Sequence, residues 1–448
     1  MKAFFNKYYK NLFLANRLFV GLAISAILFL LSFFFTWLGV VPVIFFSGIV
    51  VLTAVDILML YGTKKGVFAK RQAPERLSNG DDNELDIYIE SFYPFNIFAG
   101  VIDEVPHQFQ KRDVWFELKL SSREQKQVKY LLRPVKRGEY EFGNVLVYVR
   151  SPLGMIMRRY SFEQAEALPV YPSFLLMRKY ELMAISHRLN EMGIKRMRRL
   201  GNSMEFEQIK NYVPGDDYRT LNWLATARRG ELMVNSYTEE KSQHVYCVID
   251  KSRVMKMPFE GMSLLDYSIN ASLVLSSVAL LKEDKAGLIT IAERMGAVIP
   301  AERKATQLNK IMEVLYKEKT RYLESNIELL YNTIRKTIKQ RSLVMYFTNY
   351  ESMSAMQRQL PVLKQIAKFH LLVIVFFENT ELKALSEEPA KDIEGIYIKT
   401  IAGKFAYEKK LIVRELARHG IQAILTAPKD LTVNTINRYL EIKAGQKI

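Results

Sequence analysis

The sequence predicts a membrane-anchored chain that consists of a two-helix transmembrane hairpin, a β-sandwich and a doubly wound α/β domain. Three observations support this prediction: residues 18–62 are nearly free of charge, short segments of alternating apolar and polar residues follow, and the second half alternates apolar runs with segments of helical period. The length of 448 residues, about three times that of a typical domain, requires several units. With 49% hydrophobic and 25% charged residues, the composition excludes wholesale disorder, a collagen-like fibre and a polytopic transporter.

The amino-terminal apolar run is long enough for two membrane spans. A bilayer-spanning helix needs about 20 apolar residues, and the turn-forming segment 39–42 divides the run into spans at residues 18–38 and 43–61. The run is longer than the roughly 7–15 apolar residues of a secretory signal peptide, so a retained anchor is predicted. Asp56 is its one charged residue. We expect Asp56 near the cytoplasmic end, where it reaches lipid headgroups or water; an ion path is the alternative.

The distribution of charge predicts the orientation of this anchor. The chain carries 64 Lys+Arg and 47 Asp+Glu, a net charge of +17. Residues 1–76 hold nine basic and two acidic residues, for +7, and residues 77–448 hold 55 and 45, for +10. Because basic residues flank both spans and the turn between the spans is uncharged, the positive-inside rule places both flanks, including the tail at residues 1–17, in the cytoplasm.

Residues 77–172 are predicted to form the β-sandwich. In the first predicted strand Leu85, Ile87 and Ile89 alternate with polar or amphipathic residues, which is the period of a half-buried strand. Regularly spaced strands divided by turns are typical of a sandwich. The predicted strands are residues 84–90, 114–120, 126–133 and 140–150. No catalytic grouping occurs in this part, which favours a packing or spacing module.

Residues 245–448 are predicted to form the α/β domain, since apolar strands that alternate with helices indicate a mostly parallel sheet covered on both faces. The predicted strands are residues 245–249, 286–291, 343–348, 371–377 and 423–426. The predicted helices are residues 263–281, 306–318, 353–369, 406–419 and 431–443. Ligands of such folds bind at the carboxyl ends of the strands, where Asp250, Ser252 and Thr348 are expected. Their carboxylate and hydroxyl oxygens are the ligand types that Mg²⁺ prefers.

Motifs for other chemistry are missing from the sequence. It contains no phosphate-binding loop, dinucleotide fingerprint, nucleophile elbow or His-Glu-x-x-His helix, and its five histidines are scattered. One cysteine excludes a disulfide framework, and we expect Cys247 to be a passive buried residue because it lies in an apolar run.

The segment at residues 173–244 contains a basic run at residues 195–199 and the most distinctive stretch of the chain at residues 204–229. The basic run could grip phosphates, but no aromatic series or groove-reading helix accompanies it, so a solvated or membrane-proximal face is the preferred interpretation. The distinctive stretch resembles the signature of the bacterial family called domain of unknown function 58 (DUF58). Ser203 stands where the first Gly of that signature belongs. The matching residues are Glu205, Phe206, Tyr212, Gly215, Asp216, Arg219, Asn222, Trp223, Ala227 and Arg228.

Weaker matches extend the resemblance over nearly the whole chain. Residues 137–140 and 151–154 are similar to the family's RGxY and DPxG turns, with Ser151 in place of Asp, and residues 170–172 are similar to its VYP closure. Two amino-terminal transmembrane helices are also usual in the family. The resemblance therefore implies a multi-pass protein of the bacterial inner membrane with cytoplasmic soluble domains.

The resemblance also implies that the α/β domain is similar to a von Willebrand factor A domain. The metal-ion-dependent adhesion site of that fold uses Asp-x-Ser-x-Ser, a Thr and a later Asp. Asp250, Ser252 and Thr348 match this pattern, whereas Val254 replaces the second Ser and Asn349 stands where the later Asp is expected. The two replacements remove a hydroxyl ligand and a negative charge. We therefore expect weak or no Mg²⁺ binding and no other cofactor.

The resemblance implies a non-enzymatic scaffold or adaptor whose α/β domain binds a MoxR-type AAA+ ATPase, in protein complex assembly or at the cell envelope. In this interpretation Glu205, Asp216, Arg219 and Arg228 form an ion-pair lattice around a buried Trp223. The first alternative is a membrane-associated hydrolase or transferase that uses Glu205, Asp216 and Arg219. The second is a membrane-tethered nucleic-acid binder that uses residues 195–199, although no nucleic acid is expected. The client protein and the oligomeric state are left open.

Overall fold

The computed structural model describes residues 11–35, 37, 39–63, 65–111, 114–185, 205–214, 216–238, 242–387, 389 and 392–445. The chain divides into two compact units, Met1–Tyr171 and Pro172–Ile448. The first unit holds the predicted anchor and the β-rich region, and the second holds the signature segment and the α/β region. The basic run at residues 195–199 lies outside the described residues.

Two apolar helices of the first unit, α1 (Asn16–Phe34) and α2 (Val41–Gly62), are long enough to cross a membrane. They pack against each other, and Pro42 occupies the first turn of α2, where its missing N–H leaves no hydrogen bond unmade. Helix α1 ends at Phe34, earlier than the predicted residue 38. A third helix of sufficient length, Leu264–Leu281, is buried in the second unit. These features indicate a membrane protein anchored by α1 and α2.

Eleven strands in the described part of the first unit form three sheets, with the orders β1-β10-β9-β5-β6, β2-β4-β7 and β3-β11-β8. The strands are β1 (Leu12–Leu14), β2 (Val67–Gln72), β3 (Leu77–Ser78), β4 (Asn83–Ser91), β5 (Ile97–Asp103), β6 (Trp115–Leu120), β7 (Gln125–Leu132), β8 (Gly138–Phe142), β9 (Val145–Arg150), β10 (Ile156–Phe162) and β11 (Glu166–Tyr171). The predicted strand at residues 140–150 is two strands, because the chain turns at Gly143 and Asn144 between β8 and β9. Strands β1 and β2 lie outside the predicted range 77–172.

The alternation predicted for β4 is confirmed, since Leu85, Ile87 and Ile89 are fully buried in one core shared by the three sheets. A buried ion pair lies in the same unit. The guanidinium of Arg71 donates to the carboxylate of Asp103, with Nε at 3.0 Å from Oδ2, and the hydroxyl of Tyr130 donates to the same carboxylate. Removal of one partner of such a pair strongly destabilises the folded protein, because the other charge is left buried without a partner.

The second unit is built on a six-stranded sheet with the order β18-β17-β14-β19-β20-β21, in which only β18 is antiparallel to its neighbour. These strands are β14 (His244–Asp250), β17 (Lys285–Ile291), β18 (Met295–Glu302), β19 (Leu343–Phe347), β20 (Leu371–Phe377) and β21 (Gln422–Thr426). The chain leaves β14 first toward β17 and later returns to its other side at β19. The carboxyl ends of β14 and β19 therefore lie side by side where the strand order reverses.

Helices and two short hairpins complete the second unit. The helices are α3 (Phe174–Ile185), α4 (Trp223–Arg229), α5 (Leu264–Leu281), α6 (Gln307–Lys317), α7 (Ile327–Thr337), α8 (Met353–Phe369), α9 (Thr380–Glu387), α10 (Ile393–Arg418) and α11 (Leu431–Ala444). The hairpins are β12 (Glu205–Asn211) with β13 (Met233–Thr238) and β15 (Pro258–Phe259) with β16 (Met262–Ser263).

The five predicted strands of this sheet are present with shifts of at most one residue at either end. The edge strand β18 and helices α7 and α9 were missed, and the predicted helix at residues 406–419 is the second half of the longer α10. Cys247 is buried in β14 as predicted, and burial raises the pKa of its thiol to about 12. The thiol is therefore protonated at neutral pH, as expected of a passive residue.

Candidate functional site

The signature segment folds into a small module of the β12–β13 hairpin and helix α4. The Asn222 side chain caps α4 by accepting a hydrogen bond from the backbone N–H of Ala225 at 3.0 Å. Gly230 ends the helix with a positive φ of 79°, a conformation that favours glycine. Thr226 ties α4 to the hairpin, because its hydroxyl oxygen accepts the N–H of Met233 at 3.0 Å.

The acidic residues of the module stabilise its turn. One carboxylate oxygen of Asp216 accepts from the Lys210 ammonium at 3.0 Å, and the other accepts from the Val213 backbone N–H at 3.1 Å. These two donors lower the pKa of Asp216, with the backbone N–H the larger cause. Asp217 accepts from the N–H of Arg219 at 3.0 Å. Both carboxylates are thus engaged in local backbone structure.

The expected burial of Trp223 is wrong, and Arg219 does not pair with Asp216, whereas the side chain of Glu205 in the expected lattice lies outside the described residues. The Trp223 side chain is 70% exposed, and the guanidinium of Arg219 lies 5.9 Å from the ring centroid of Tyr218 rather than beside Asp216. Arg228 forms no ion pair with any residue in the described ranges. The reason is that α4 faces the hairpin through the smaller residues Ala225 and Thr226, so its larger side chains point outward.

The remaining signature residues are placed as follows. Tyr212 is half-buried, and its backbone N–H donates to the carbonyl of Leu232 at 2.8 Å. Ala227 is exposed on α4. Glu205 and Phe206 lie in β12, but their side chains are outside the described part of the structure, as is Gly215.

The predicted metal residues converge at the carboxyl edge of the sheet. One carboxylate oxygen of Asp250 accepts from the backbone N–H of Ser252 at 2.9 Å, and the other accepts from the hydroxyl of Thr348 at 2.7 Å. Ser325, which the sequence analysis missed, adds a third donor at 3.3 Å. Asp250, Ser252 and Thr348 are each only 1% exposed. Burial raises the pKa of Asp250, although these hydrogen bonds oppose the rise.

This donor set fits a tightly held divalent cation poorly. Asp250 is its single carboxylate, and no cluster of three or more His, Cys, Asp or Glu side chains occurs among the residues that the structure describes. The amide oxygen of Asn349 accepts from the Lys409 ammonium at 2.9 Å, and that ammonium also donates to the carbonyl of Phe377 at 2.5 Å. Burial lowers the pKa of Lys409 to about 8. Asn349 stands at the position of the expected later Asp, and its side-chain oxygen is already engaged by the ammonium of Lys409.

Helix α10 carries an exposed apolar stripe on its amino-terminal half. The stripe consists of residues spaced four apart along the helix, Ile393, Tyr397, Ile401 and Phe405. Ile393 is 87% exposed and Tyr397 is 68% exposed. Ala402 is buried beside the stripe, and the second half of the helix is buried through Ile412 and Leu416. The α10 stripe therefore has no cover within the described residues of its unit.

The ends of the membrane helices are bonded to the turn at residues 151–156. The buried carboxylate of Asp56 accepts from the backbone N–H groups of Met155 at 2.8 Å and Ile156 at 3.0 Å. Arg17 donates to the carbonyl oxygens of Pro152 and Leu153, each at 3.2 Å. We call this contact region the junction. The expectation that Asp56 reaches headgroups or water is wrong, because the carboxylate satisfies the backbone at the start of β10.

A second set of contacts extends the junction. The guanidinium of Arg158 donates to the carbonyl of Leu60 at 2.6 Å and lies 4.5 Å and 4.6 Å from the ring centroids of Tyr61 and Tyr160. The hydroxyl of Tyr93 donates to the same carbonyl at 2.8 Å. The last turn of α2 leaves carbonyls without helical partners, and these donors satisfy one of them.

Comparison with known proteins decides the family question for the larger part of the second unit. Residues 208–383 match the family model described as "Protein of unknown function DUF58". The chain carries a DUF58 region. This region contains most of the signature module. It also contains the Asp250 cluster, which consists of Asp250, Ser252, Ser325 and Thr348. The predicted resemblance is therefore confirmed there.

The uncharacterized protein YeaD of Bacillus subtilis (strain 168) is 25% identical over 231 residues, which cover 48% of this chain and 54% of YeaD. The chain thus spans about half the length of that relative. Among solved structures, BatB from Bacteroides thetaiotaomicron is 14% identical with a TM-score of 0.32, covering 46% of this chain and 100% of BatB. A CARDB domain from Pyrococcus furiosus is 11% identical with a TM-score of 0.17, covering 23% of this chain and 86% of that domain.

Proposed function

We propose that this DUF58 protein is a non-enzymatic, membrane-anchored scaffold whose α/β unit docks a partner protein, a MoxR-type AAA+ ATPase. The observation that carries the proposal is the α10 stripe. Four large apolar side chains, from 38% to 87% exposed, follow a gently winding stripe on a helix whose other positions include Glu394, Lys399 and Lys404. Contiguous exposed apolar surface rimmed by charge marks interaction sites in soluble domains.

In this proposal the α/β unit is a doubly wound domain of the von Willebrand A type, and the β-rich region of the first unit is a sandwich. The strand order with one antiparallel edge strand supports this view, and so does the position of Asp250 where the order reverses. The ATPase as partner follows from the family resemblance. The proposed location is the bacterial inner membrane with both soluble parts in the cytoplasm, which the basic flanks of α1 and α2 favour.

The hydrolase or transferase alternative is not favoured. Both oxygens of Asp216 are bonded within its turn, and the lowered pKa of this residue makes it a poor general acid or base at neutral pH. Arg219 is exposed and does not converge with Asp216 on a cleft. The nucleic-acid alternative depends on residues 195–199 and is tested by salt-dependent retention of DNA or RNA on the purified chain.

We further propose that the Asp250 cluster binds Mg²⁺ weakly or not at all and that the chain uses no other cofactor. The backbone N–H of Ser252 and the hydroxyls of Ser325 and Thr348 donate hydrogen bonds to the buried carboxylate of Asp250, so the carboxylate is satisfied without a metal ion. The check is calorimetric titration of the full chain with Mg²⁺ and Mn²⁺. Tight binding that Asp250→Ala abolishes would overturn this proposal.

The docking proposal is tested by co-purification in mild detergent of the full chain with a co-expressed MoxR-type ATPase of the same organism. The double variant Tyr397→Glu, Phe405→Glu places two charges in the α10 stripe, and we expect at least a tenfold lower recovery of the ATPase, on the order of one buried hot-spot contact. The matched control is Phe369→Glu, which charges an apolar residue that is 52% exposed at the end of α8. Equal recovery with all three proteins contradicts the proposal.

A further inference from the structure

The signature module has an open groove that none of the preceding functions uses. The groove lies between α4 and the β12–β13 hairpin, is open to solvent and has a volume of about 640 Å³, part of which is bulk solvent. Met233 forms a buried floor, whereas Leu224, on its wall, is 68% exposed, and Ile209 is 40% exposed. The rim consists of Arg228 and Arg229 at the end of α4. The groove thus combines an apolar wall with two cationic side chains.

Both arginines are available for a ligand. They are exposed, and neither forms an ion pair or hydrogen bond with another residue in the described ranges. By contrast, Lys210 in the same module is paired with Asp216 at 3.0 Å. Each guanidinium presents a planar fork of N–H donors that matches a carboxylate in two parallel hydrogen bonds. Adjacent unpaired arginines beside an apolar wall therefore suit a segment with carboxylate and apolar side chains.

The charge of the module selects among anionic ligands. Residues 205–238 contain five acidic and four basic residues, a net charge of −1. Binding of nucleic acid or of an anionic membrane relies on a basic surface that neutralises many phosphates, and a module of net charge −1 does not supply one. The two positive charges of Arg228 and Arg229, in a module whose net charge is close to zero, favour a short acidic peptide segment instead.

The chain segment that precedes the module is a poor occupant of the groove. Residues 186–204, which precede the module, contain five basic residues and one acidic residue. A segment of that composition would be repelled by Arg228 and Arg229. The charge of this preceding segment therefore favours an occupant whose carboxylates come from a partner protein.

We infer that the groove beside α4 binds an acidic segment of a partner protein, with carboxylates paired to Arg228 and Arg229 and an apolar side chain packed on Leu224 and Ile209. The inference deepens the proposed scaffold function and rests on it, because it assigns a second contact surface to the partner. It uses a surface distinct from the α10 stripe, so the two can fail separately.

The test measures peptide binding to the full chain in phosphatidylcholine nanodiscs by fluorescence anisotropy at low salt. The probe is a labelled twelve-residue peptide of Glu-Glu-Leu repeats, and the comparison is the same peptide with Lys for Glu. We expect the acidic peptide to bind at least about tenfold more tightly than the basic one. The double variant Arg228→Glu, Arg229→Glu should lose this preference and bind the basic peptide instead. The matched control Arg294→Glu, at an exposed arginine of the β17–β18 turn, should retain it.

Three results would overturn the inference. The first is equal binding of both peptides by the wild-type chain, and the second is an unchanged preference in the Arg228→Glu, Arg229→Glu variant. The third is retention of phosphatidylserine vesicles or a single-stranded oligonucleotide, but not of the acidic peptide, in a manner that depends on these arginines. Loss of ATPase recovery in the α10 variant with its peptide preference intact leaves this inference standing. Recovery of the ATPase by the wild-type chain together with equal binding of both peptides by that chain contradicts the inference alone.

Discussion

The junction and the signature module use similar charged residues in opposite ways. At the junction Asp56, Arg17 and Arg158 are all bonded to backbone groups, and Asp56 is fully buried. In the module Arg228 and Arg229 are exposed and have no partner among the described residues. Burial of a charge costs free energy that hydrogen bonds must offset, and at Asp56 one carboxylate oxygen makes two such bonds whereas the other has no partner among the described residues. The junction charges therefore support the fold through backbone bonds, and the module charges remain free for recognition.

Loss of the Asp56 carboxylate should have the largest effect on stability. Asp56→Ala leaves the N–H groups of Met155 and Ile156 without their acceptor in a buried site, and we expect about 3 kcal/mol of destabilisation, since each orphaned donor costs roughly 1–3 kcal/mol. Thermal unfolding of the full chain in detergent measures it. Asp56→Asn retains one acceptor oxygen and should recover at least half of the loss. An unfolding temperature of Asp56→Ala equal to that of the wild type would contradict the structural role of the junction.

The Asp250 cluster is an intermediate case, because its buried carboxylate has only neutral donors. Its folded-state pKa is raised above the unfolded value, so the folded protein binds more protons and loses stability as pH rises from about 4 through the folded pKa. Asp250→Asn removes this dependence. The difference in unfolding temperature between Asp250→Asn and the wild type should therefore shift in favour of the variant between pH 4 and pH 8. A difference that is constant with pH would show that Asp250 has no raised pKa.

Removal of the cap of α4 should have a smaller effect. Asn222→Ala removes the acceptor for the N–H of Ala225 and is expected to cost about 1 kcal/mol. The Asn222→Asp variant restores an acceptor and should recover most of that stability. Chemical denaturation of the full chain provides the measurement, and identical midpoints for the alanine variant and the wild type would argue against the cap.

The smallest effect is expected at the most conspicuous aromatic residue of the signature. Trp223→Ser changes a side chain that is 70% exposed, and exposed substitutions usually stay within about 0.5 kcal/mol. Equilibrium unfolding should therefore not distinguish this variant from the wild type. A loss of more than about 2 kcal/mol would restore the buried-anchor interpretation and erase the contrast with the junction.

The sheet of the second unit was predictable because its strands are continuous apolar runs. Strand β19, for example, is buried at every residue, so its sequence shows no alternation and stands out from its polar flanks. Strand β18 was missed because its side chains are only half-buried or exposed at the edge of the sheet. Helix α7 was missed although Ile327, Leu330 and Ile334 have helical spacing, since the segment is short and mostly polar.

The candidate sites were less predictable, because they depend on residues distant in sequence. Ser325 reaches Asp250 across 75 positions, and no spacing rule connects the two. The outward orientation of Trp223 could not be inferred from a helix of seven residues, in which the periodicity is too short to identify the buried face. Lys409 meets Asn349 because α10 packs against β21 and α8.

The sequence by itself determined the two apolar helices, the alternation of strands and helices and the family signature, because these follow from local composition, hydrophobic period and residue order. Only the tertiary structure decided that Asp56 bonds the start of β10, that the Asp250 oxygens are engaged by a backbone N–H and two hydroxyls, and that Arg228 and Arg229 have no partner among the described residues. The physical reason is that the state of a charged group depends on the donors and acceptors that the fold brings to it, and these come from distant parts of the chain.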